Sequence, residues 1–118
     1  MFRIKRIYDD AAPDDGIRVL VDRLWPRGIK KVDARLDHWL KDVAPSPELR
    51  VWFDHKPERF EKFREQYVGE LSGNPALAEL ARLGKGKIVT LLYGARDPEI
   101  NHAVVLQSVL RNMSAKKG

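Results

Sequence analysis

Three stretches of the chain have hydrophobic patterns that are typical of β-strands. Residues 2–8 alternate apolar and basic side chains, which indicates a strand with one exposed face. Residues 17–21 are rich in β-branched side chains, and residues 87–93 form an almost continuous apolar run. Because the strands of parallel sheets are covered on both faces, the last run predicts a strand of a parallel sheet.

Apolar residues spaced three or four apart predict helices between the second and third of these strands. The first helix is expected to follow Asp33, which is a suitable N-cap residue. Later helices are expected to begin near Pro47, Pro57 and Asn74. A final helix follows the third strand, with Asp97 as its N-cap. The apolar face of the first helix comprises Leu36, Trp39, Leu40 and Val43.

This order of elements predicts a small three-layer α/β/α sandwich with a mostly parallel sheet. The third strand follows several helices, so a crossover connection can return it parallel to the second strand. The alternative is an α+β domain in which the first two strands form an antiparallel hairpin. Residues 1–112 are expected to form a single globular domain, and residues 113–118 a flexible basic tail.

Composition and charge narrow the classes of function. The 118 residues include no cysteine, which excludes disulfides, cysteine-ligated metals and thiol nucleophiles. The net charge of +5 and the isoelectric point of about 9.6 are compatible with nucleic-acid binding. Residues 111–118 hold three basic residues and no acid, so residues 1–110 carry only +2. Since there is no long apolar run and no signal-peptide pattern, we expect a cytoplasmic protein without a membrane partner.

Two predicted loops hold the side chains that suit an anionic ligand. Ligands in open parallel sheets lie beyond the carboxyl ends of the strands, and these loops follow the second and third strands. If the two strands are neighbours, the arginines of both loops converge on one crevice, where guanidinium groups suit phosphate or carboxylate oxygens. The predicted anion-binding residues are Arg23, Trp25, Arg27, Tyr93, Arg96 and Asn101.

A structural interpretation of the same residues stays open at this point. Asp22 or Asp97 could lock the arginines in ion pairs, because such networks imitate binding sites. Trp25 could be a core or lid aromatic.

Asp97 and His102 are the candidate catalytic residues. The helix N-terminus disfavours a second positive charge, so a neutral imidazole at His102 could accept a proton there. The alternative is a purely structural histidine. No pair of histidines has metal-ligand spacing and no cofactor motif occurs, so neither a metal nor a cofactor is expected.

The loop after the second strand also resembles a known family. Residues 19–28 read Val-Leu-Val-Asp-Arg-Leu-Trp-Pro-Arg-Gly, which is similar to the signature of the YeaO-like family of small uncharacterised bacterial proteins. The similarity extends over residues 2–112 and includes segments 39–46, 52–55, 63–67, 90–93 and 97–106. The resemblance implies a compact α/β domain in the bacterial cytoplasm and no established activity. Related members of the superfamily carry a cysteine and a His–Arg pair after the last strand, and this chain has no cysteine there.

Three functions therefore compete. The first is the binding of a phosphorylated or carboxylated small molecule, with or without chemistry on it. The second is nucleic-acid binding, which ranks lower because the body of the chain is nearly balanced in charge. The third is a partner-binding module that uses Trp39, Trp52 or Phe53, if these side chains are exposed.

Overall fold

The computed structural model describes the backbone of residues 1–117 and the side chains of residues 1–113. Most of the predicted flexible tail, residues 113–118, therefore lies outside the described side chains, and that expectation stays a prediction. The elements in chain order are β1 (Phe2–Arg6), β2 (Ile17–Leu20), α1 (Lys31–Ala34), β3 (His38–Trp39), α2 (Pro47–Phe53), α3 (Phe60–Leu71), α4 (Pro75–Leu83), β4 (Val89–Tyr93) and α5 (His102–Lys117). Short 3-10 turns lie at Pro13–Asp15, Lys41–Val43 and Pro57–Arg59.

The four strands form one parallel sheet in the order β1-β4-β2-β3. The fully buried strand β4 lies between β1 and β2. Its pairing with β2 is parallel, which confirms the prediction. The alternative hairpin of β1 and β2 is wrong, because β4 occupies the place between them. Leu20 is the register partner of Leu92, so the carboxyl ends of β2 and β4 lie side by side.

Successive residues of the central strands face opposite sides of the sheet, and both sides are covered. Val19 and Leu91 belong to the larger core, which is packed against helices α2 to α5. Leu20 and Leu92 belong to a smaller core beneath α1 and its flanking segments. The predicted α/β/α sandwich is therefore confirmed, with one thick helical layer and one thin layer.

The predicted helix after Asp33 is wrong. The chain there forms α1, strand β3 and a 3-10 turn, because Arg35 has left-handed backbone dihedrals (φ 49°) that end the helix. The Leu40 N–H then donates to the Leu20 carbonyl at 3.0 Å, so the segment extends the sheet. Leu36 packs on the smaller core and Val43 on the larger one, so their helical spacing does not reflect one helical face.

An ion-pair network that the hydrophobic pattern did not reveal lies near the amino end of β2. Arg18 and Asp15 are both buried, and the Arg18 Nη1 is 2.5 Å from the Asp15 Oδ2. The Lys5 Nζ lies 2.9 Å from the other carboxylate oxygen. The Arg18 guanidinium also donates to the carbonyls of Ala34 and Arg35 at the end of α1. These hydrogen bonds compensate for burying the charges.

Candidate functional site

A crevice lies beyond the carboxyl ends of β2 and β4, and Asp22 joins the two loops that form it. Its Oδ2 accepts a hydrogen bond from the Gly94 N–H at 2.9 Å. A Cβ at Gly94 would lie 3.0 Å from that oxygen, so the close approach favours glycine. The other carboxylate oxygen, Oδ1, lies 3.1 Å from the His102 Nε2 at the start of α5. The carboxylate therefore joins the loops after β2 and β4, while its buried Oδ1 has no hydrogen-bond partner among the described residues.

Two adjoining cavities, each of about 370 Å³, open in this crevice. We call the first the Arg23 cavity, whose charged and titratable lining residues include Asp22, Arg23, Arg27, Arg50, His55 and His102. We call the second the Arg96 cavity, which is lined by His55, Gly94, Ala95, Arg96, Asp97 and Ile100. The structure thus brings Arg23 and Arg27 together, whereas Arg96 lines the neighbouring cavity.

Neutral acceptors hold the Arg23 side chain in place. Its Nε donates to the Pro45 carbonyl and its Nη2 to the Ala44 carbonyl, both at 3.3 Å. Arg27 is exposed, and its backbone carbonyl accepts a hydrogen bond from the Tyr8 hydroxyl at 2.9 Å. Within the part of the chain whose side chains are described, no carboxylate lies at ion-pair distance from either guanidinium.

The possible locking of the arginines by Asp22 or Asp97 is not found among the described side chains. Asp22 binds the Gly94 N–H and faces His102. The Oδ1 of Asp97 accepts from the backbone N–H groups of Glu99 and Ile100. These two hydrogen bonds lower the pKa of Asp97 below its ordinary value.

Asn101, and not Asp97, caps the final helix. The Asn101 Oδ1 accepts from the Val104 N–H at 3.0 Å, and its Nδ2 donates to the Asp97 carbonyl at 2.7 Å. The predicted helix start at Asp97 is therefore wrong, because residues 97–100 form a turn ahead of α5. Asn101 lines the Arg23 cavity, but its buried side chain already serves the backbone.

The two predicted aromatic site residues have different positions. Trp25 lines the Arg23 cavity, donates from Nε1 to the Ile29 carbonyl at 2.7 Å, and packs edge-on against Trp39. It is thus a partly buried core aromatic with one surface on the cavity. Tyr93 is buried within β4 and lines neither cavity. Burial raises the pKa of its hydroxyl, although the positive charge of Arg6 opposes the shift.

His102 is at the cavity wall with one ring nitrogen already engaged. Its Nε2 lies 3.0 Å from the Val21 carbonyl, an acceptor that requires a proton on that nitrogen. Only Nδ1 is therefore left as a proton acceptor. Asp97 lines the other cavity, so these two candidate catalytic residues do not share one cavity.

Arg50 and His55 were not among the predicted site residues, yet both line the Arg23 cavity. Arg50 is exposed on α2. In the sequence it looks like any charged residue on the surface of a helix, so it gave no sign of a site. His55 follows α2, and its position depends on left-handed backbone dihedrals at Asp54 and at His55 itself (φ 49° and 55°). The sequence gives little indication of these left-handed dihedrals, because neither residue is glycine.

Of the three aromatic residues considered for partner binding, two are not free. Phe53 is buried, and the indole N–H of the partly buried Trp39 donates to the Asp22 carbonyl at 2.7 Å. Trp52 is 38% exposed, and the Arg59 guanidinium lies 5.3 Å from its ring centre.

Within the described residues, no group of three or more His, Asp or Glu side chains is placed to hold a metal ion. No described helix combines the length and the apolar character that crossing a membrane requires.

Comparison with known proteins gave matches over nearly the whole chain. A family model described as "Inactive DUF488-N3 subclade" matches residues 1–118. The uncharacterised protein Rv3073c of Mycobacterium tuberculosis strain H37Rv is 51% identical over 108 residues, which is 92% of each chain. The uncharacterised protein YeaO of Escherichia coli K12 is 48% identical over 110 residues, covering 92% of this chain and 96% of YeaO. No solved structure gave a significant match.

Proposed function

The chain belongs to the DUF488-N3i family, described as the inactive DUF488-N3 subclade, and we propose that it binds a small anionic molecule in the Arg23 cavity. The relative YeaO confirms the resemblance to the YeaO-like family that the sequence indicates. We propose a phosphorylated or carboxylated ligand and a site of action in the bacterial cytoplasm.

The observation that carries this proposal is the charge balance of the cavity lining. Arg23, Arg27 and Arg50 all line it, and within the described part of the chain none has a carboxylate at ion-pair distance. Asp22 is the one acid among the lining residues. Its Oδ2 accepts from the Gly94 N–H, and its Oδ1 is buried without a hydrogen-bond partner among the described residues, so one carboxylate faces three guanidinium groups. An anion would therefore supply the negative charge that these guanidinium groups lack.

Arg23 is the principal ligand-binding residue in this proposal. Its guanidinium is partly buried and contacts the carbonyls of Ala44 and Pro45 at 3.3 Å, so it loses less side-chain freedom on binding than a fully exposed arginine does. Two carbonyl bonds leave further N–H donors of the fork for oxygen atoms of a ligand. The size of the cavity, about 370 Å³, lies within the usual range for small-molecule sites.

The geometry supports binding more strongly than catalysis. The chain has no cysteine, and the Nε2 of His102 is engaged with the Val21 carbonyl. Asp97 lines the other cavity and is exposed. The description of the subclade as inactive agrees with a protein that holds its ligand without converting it.

Isothermal titration with inorganic phosphate, citrate and sugar phosphates at fixed pH and low salt tests the proposal. We expect Arg23→Gln to weaken binding of the best of these ligands by about tenfold or more, since a hydrogen bond to a charged group contributes roughly 1.5–3 kcal/mol. Arg82→Gln is the matched control, because Arg82 is exposed on α4 and lines neither cavity. Equal affinities of the two variants, or no binding by the wild type, would reject the proposal.

Nucleic-acid binding is a distinct outcome of the same series. It predicts binding of a single-stranded oligonucleotide whose affinity falls steeply with salt. It also predicts that Arg82→Gln weakens binding as much as Arg23→Gln does, because an electrostatic surface does not depend on one oriented side chain.

A further inference from the structure

The Arg23 cavity and the Arg96 cavity have part of their walls in common. Both are lined by His55, Gly94 and Ala95. Gly94 has no side chain and Ala95 has only a methyl group. The boundary between the cavities therefore consists of backbone, this methyl group and the His55 imidazole. The two cavities therefore adjoin within the crevice at the carboxyl ends of the strands.

The backbone of this boundary is held from both sides. The Ala95 carbonyl accepts from the Arg6 Nε at 2.9 Å, and the Gly94 N–H donates to Asp22. On the opposite side, the Asp54 N–H donates to the Arg50 carbonyl at the end of α2. The Lys56 N–H donates to the Phe53 carbonyl at 3.0 Å, so backbone hydrogen bonds flank His55.

Each cavity also has a guanidinium group of its own. Arg96 is exposed and lines only the second cavity, whereas Arg23 lines only the first. Among the described side chains, none of the carboxylates forms an ion pair with Arg96. The neighbouring acid, Asp97, has its Oδ1 engaged by two backbone N–H groups.

On the basis of the proposed function, we propose that the two cavities together bind one ligand with two separate anionic groups. One group binds at Arg23 and the other at Arg96, and the body of the ligand passes His55. A bisphosphorylated small molecule has this chemistry. A single phosphate group would meet only one of the two arginines, since no arginine lines both cavities.

Titration calorimetry with fructose 6-phosphate and fructose 1,6-bisphosphate tests this inference, because the two probes differ by one phosphate group. We expect the wild type to bind the bisphosphate at least tenfold more tightly. Arg96→Gln should abolish most of this advantage, so that the two probes bind this variant with nearly equal affinity. Arg82→Gln has the same net charge as Arg96→Gln, so it should retain the advantage and controls for general attraction to a more highly charged ligand.

The outcomes separate this inference from the proposed function. If the monophosphate binds in an Arg23-dependent manner but the second phosphate adds no affinity, the two-group ligand is rejected and the proposed function stands. An advantage that survives Arg96→Gln, or that Arg82→Gln reduces equally, also rejects it. If neither probe nor any other small anion binds in an Arg23-dependent manner, the proposed function itself fails.

Discussion

The carboxylate of Asp22 and the backbone N–H of Gly94 form a 2.9 Å hydrogen bond that joins the loops after β2 and β4. The two residues lie 72 positions apart in the chain, and the neighbouring parallel strands bring them together. This bond makes Asp22 a structural acid within an otherwise basic cavity lining. The acid that directly precedes Arg23 is thus engaged by a backbone N–H, and among the described side chains it forms no ion pair with the candidate ligand-binding arginines.

Replacing Asp22 with alanine should destabilise the protein. The substitution leaves the Gly94 N–H without its acceptor, and a partly buried unsatisfied donor costs about 1–3 kcal/mol. Urea denaturation of Asp22→Ala and of Asp22→Asn measures the effect. The asparagine variant retains an acceptor oxygen and should lose less stability than the alanine variant. Equal stability of the wild type and Asp22→Ala would show that the bond makes no net contribution.

The contact between these two residues also predicts an interaction between their substitutions. In Gly94→Ala the new Cβ would lie 3.0 Å from the Asp22 Oδ2, so we expect the substitution to cost about 1–3 kcal/mol. In the Asp22→Ala background the same change meets no carboxylate, and its cost should fall by at least about 0.5 kcal/mol. A double-mutant cycle from urea denaturation measures this difference. Strictly additive effects would contradict the close contact.

Part of this architecture could be predicted from local pattern. The apolar run of β4 indicates a strand covered on both faces, and from it follow the parallel pairing with β2 and the meeting of their loops. The segment from Leu36 to Val43 could not be predicted in the same way. Its apolar residues are spaced as on a helix, but they pack against opposite faces of the sheet. That division is decided by tertiary contacts.

The candidate site was likewise predictable only in part. Arg23 and Arg27 follow β2 directly, so their place at the crevice follows from the topology. Arg96 lies in a separate cavity because His55 and the backbone at Gly94 form the boundary. The position of His55 depends on two consecutive left-handed residues that are not glycine, a conformation set by the connection from α2 to α3.

The Asp15–Arg18 pair predicts a loss of stability in acid. Burial alone would raise the pKa of Asp15, but hydrogen bonds from the Ala12 N–H, Lys5 and Arg18 outweigh it and hold that pKa below 3.8. The stabilisation is therefore fully present above the unfolded-state pKa of 3.8 and is lost as the pH falls below it through the folded-state value.

Urea denaturation of Asp15→Asn at pH 7 and at pH 3 measures this contribution. Breaking a buried ion pair costs about 3–5 kcal/mol at pH 7, and the difference from the wild type should shrink at pH 3. Asp14→Asn is the control, because Asp14 is exposed and its ion pair with Arg3 lies at the surface. Its effect should stay within about 0.5 kcal/mol at both pH values. A difference for Asp15→Asn that does not change with pH would contradict the assignment.

The buried hydroxyl of Tyr67 predicts a loss of stability in alkali. It is fully buried, and its hydroxyl donates to the Val43 carbonyl at 2.6 Å. Burial, reinforced by the charge of Glu70, raises the pKa of this hydroxyl well above 10. The unfolded chain ionises at its ordinary value, so the stability should be retained below pH 10 and should fall as the pH rises above it.

Tyr67→Phe should cost about 1–2 kcal/mol at pH 7, because the buried Val43 carbonyl loses its donor. The variant should also lose less stability than the wild type between pH 9 and pH 11, a range chosen around the ordinary pKa of 10.0. Tyr8→Phe is the control, since the Tyr8 hydroxyl bonds at the surface. Identical alkaline profiles of the wild type and Tyr67→Phe would contradict this role.

The two carbonyl bonds of Arg23 predict that the shape of its side chain matters as well as its charge. Arg23→Lys retains the positive charge but lacks the planar fork that the carbonyls of Ala44 and Pro45 orient. We expect it to weaken anion binding almost as much as Arg23→Gln does. Arg27 is exposed at the cavity edge, where Arg27→Lys should retain most of the affinity. Titration calorimetry of the four variants Arg23→Lys, Arg23→Gln, Arg27→Lys and Arg27→Gln decides the point. If Arg23→Lys binds as tightly as the wild type, Arg23 contributes only its charge, and the carbonyl bonds do not prepare it for a ligand.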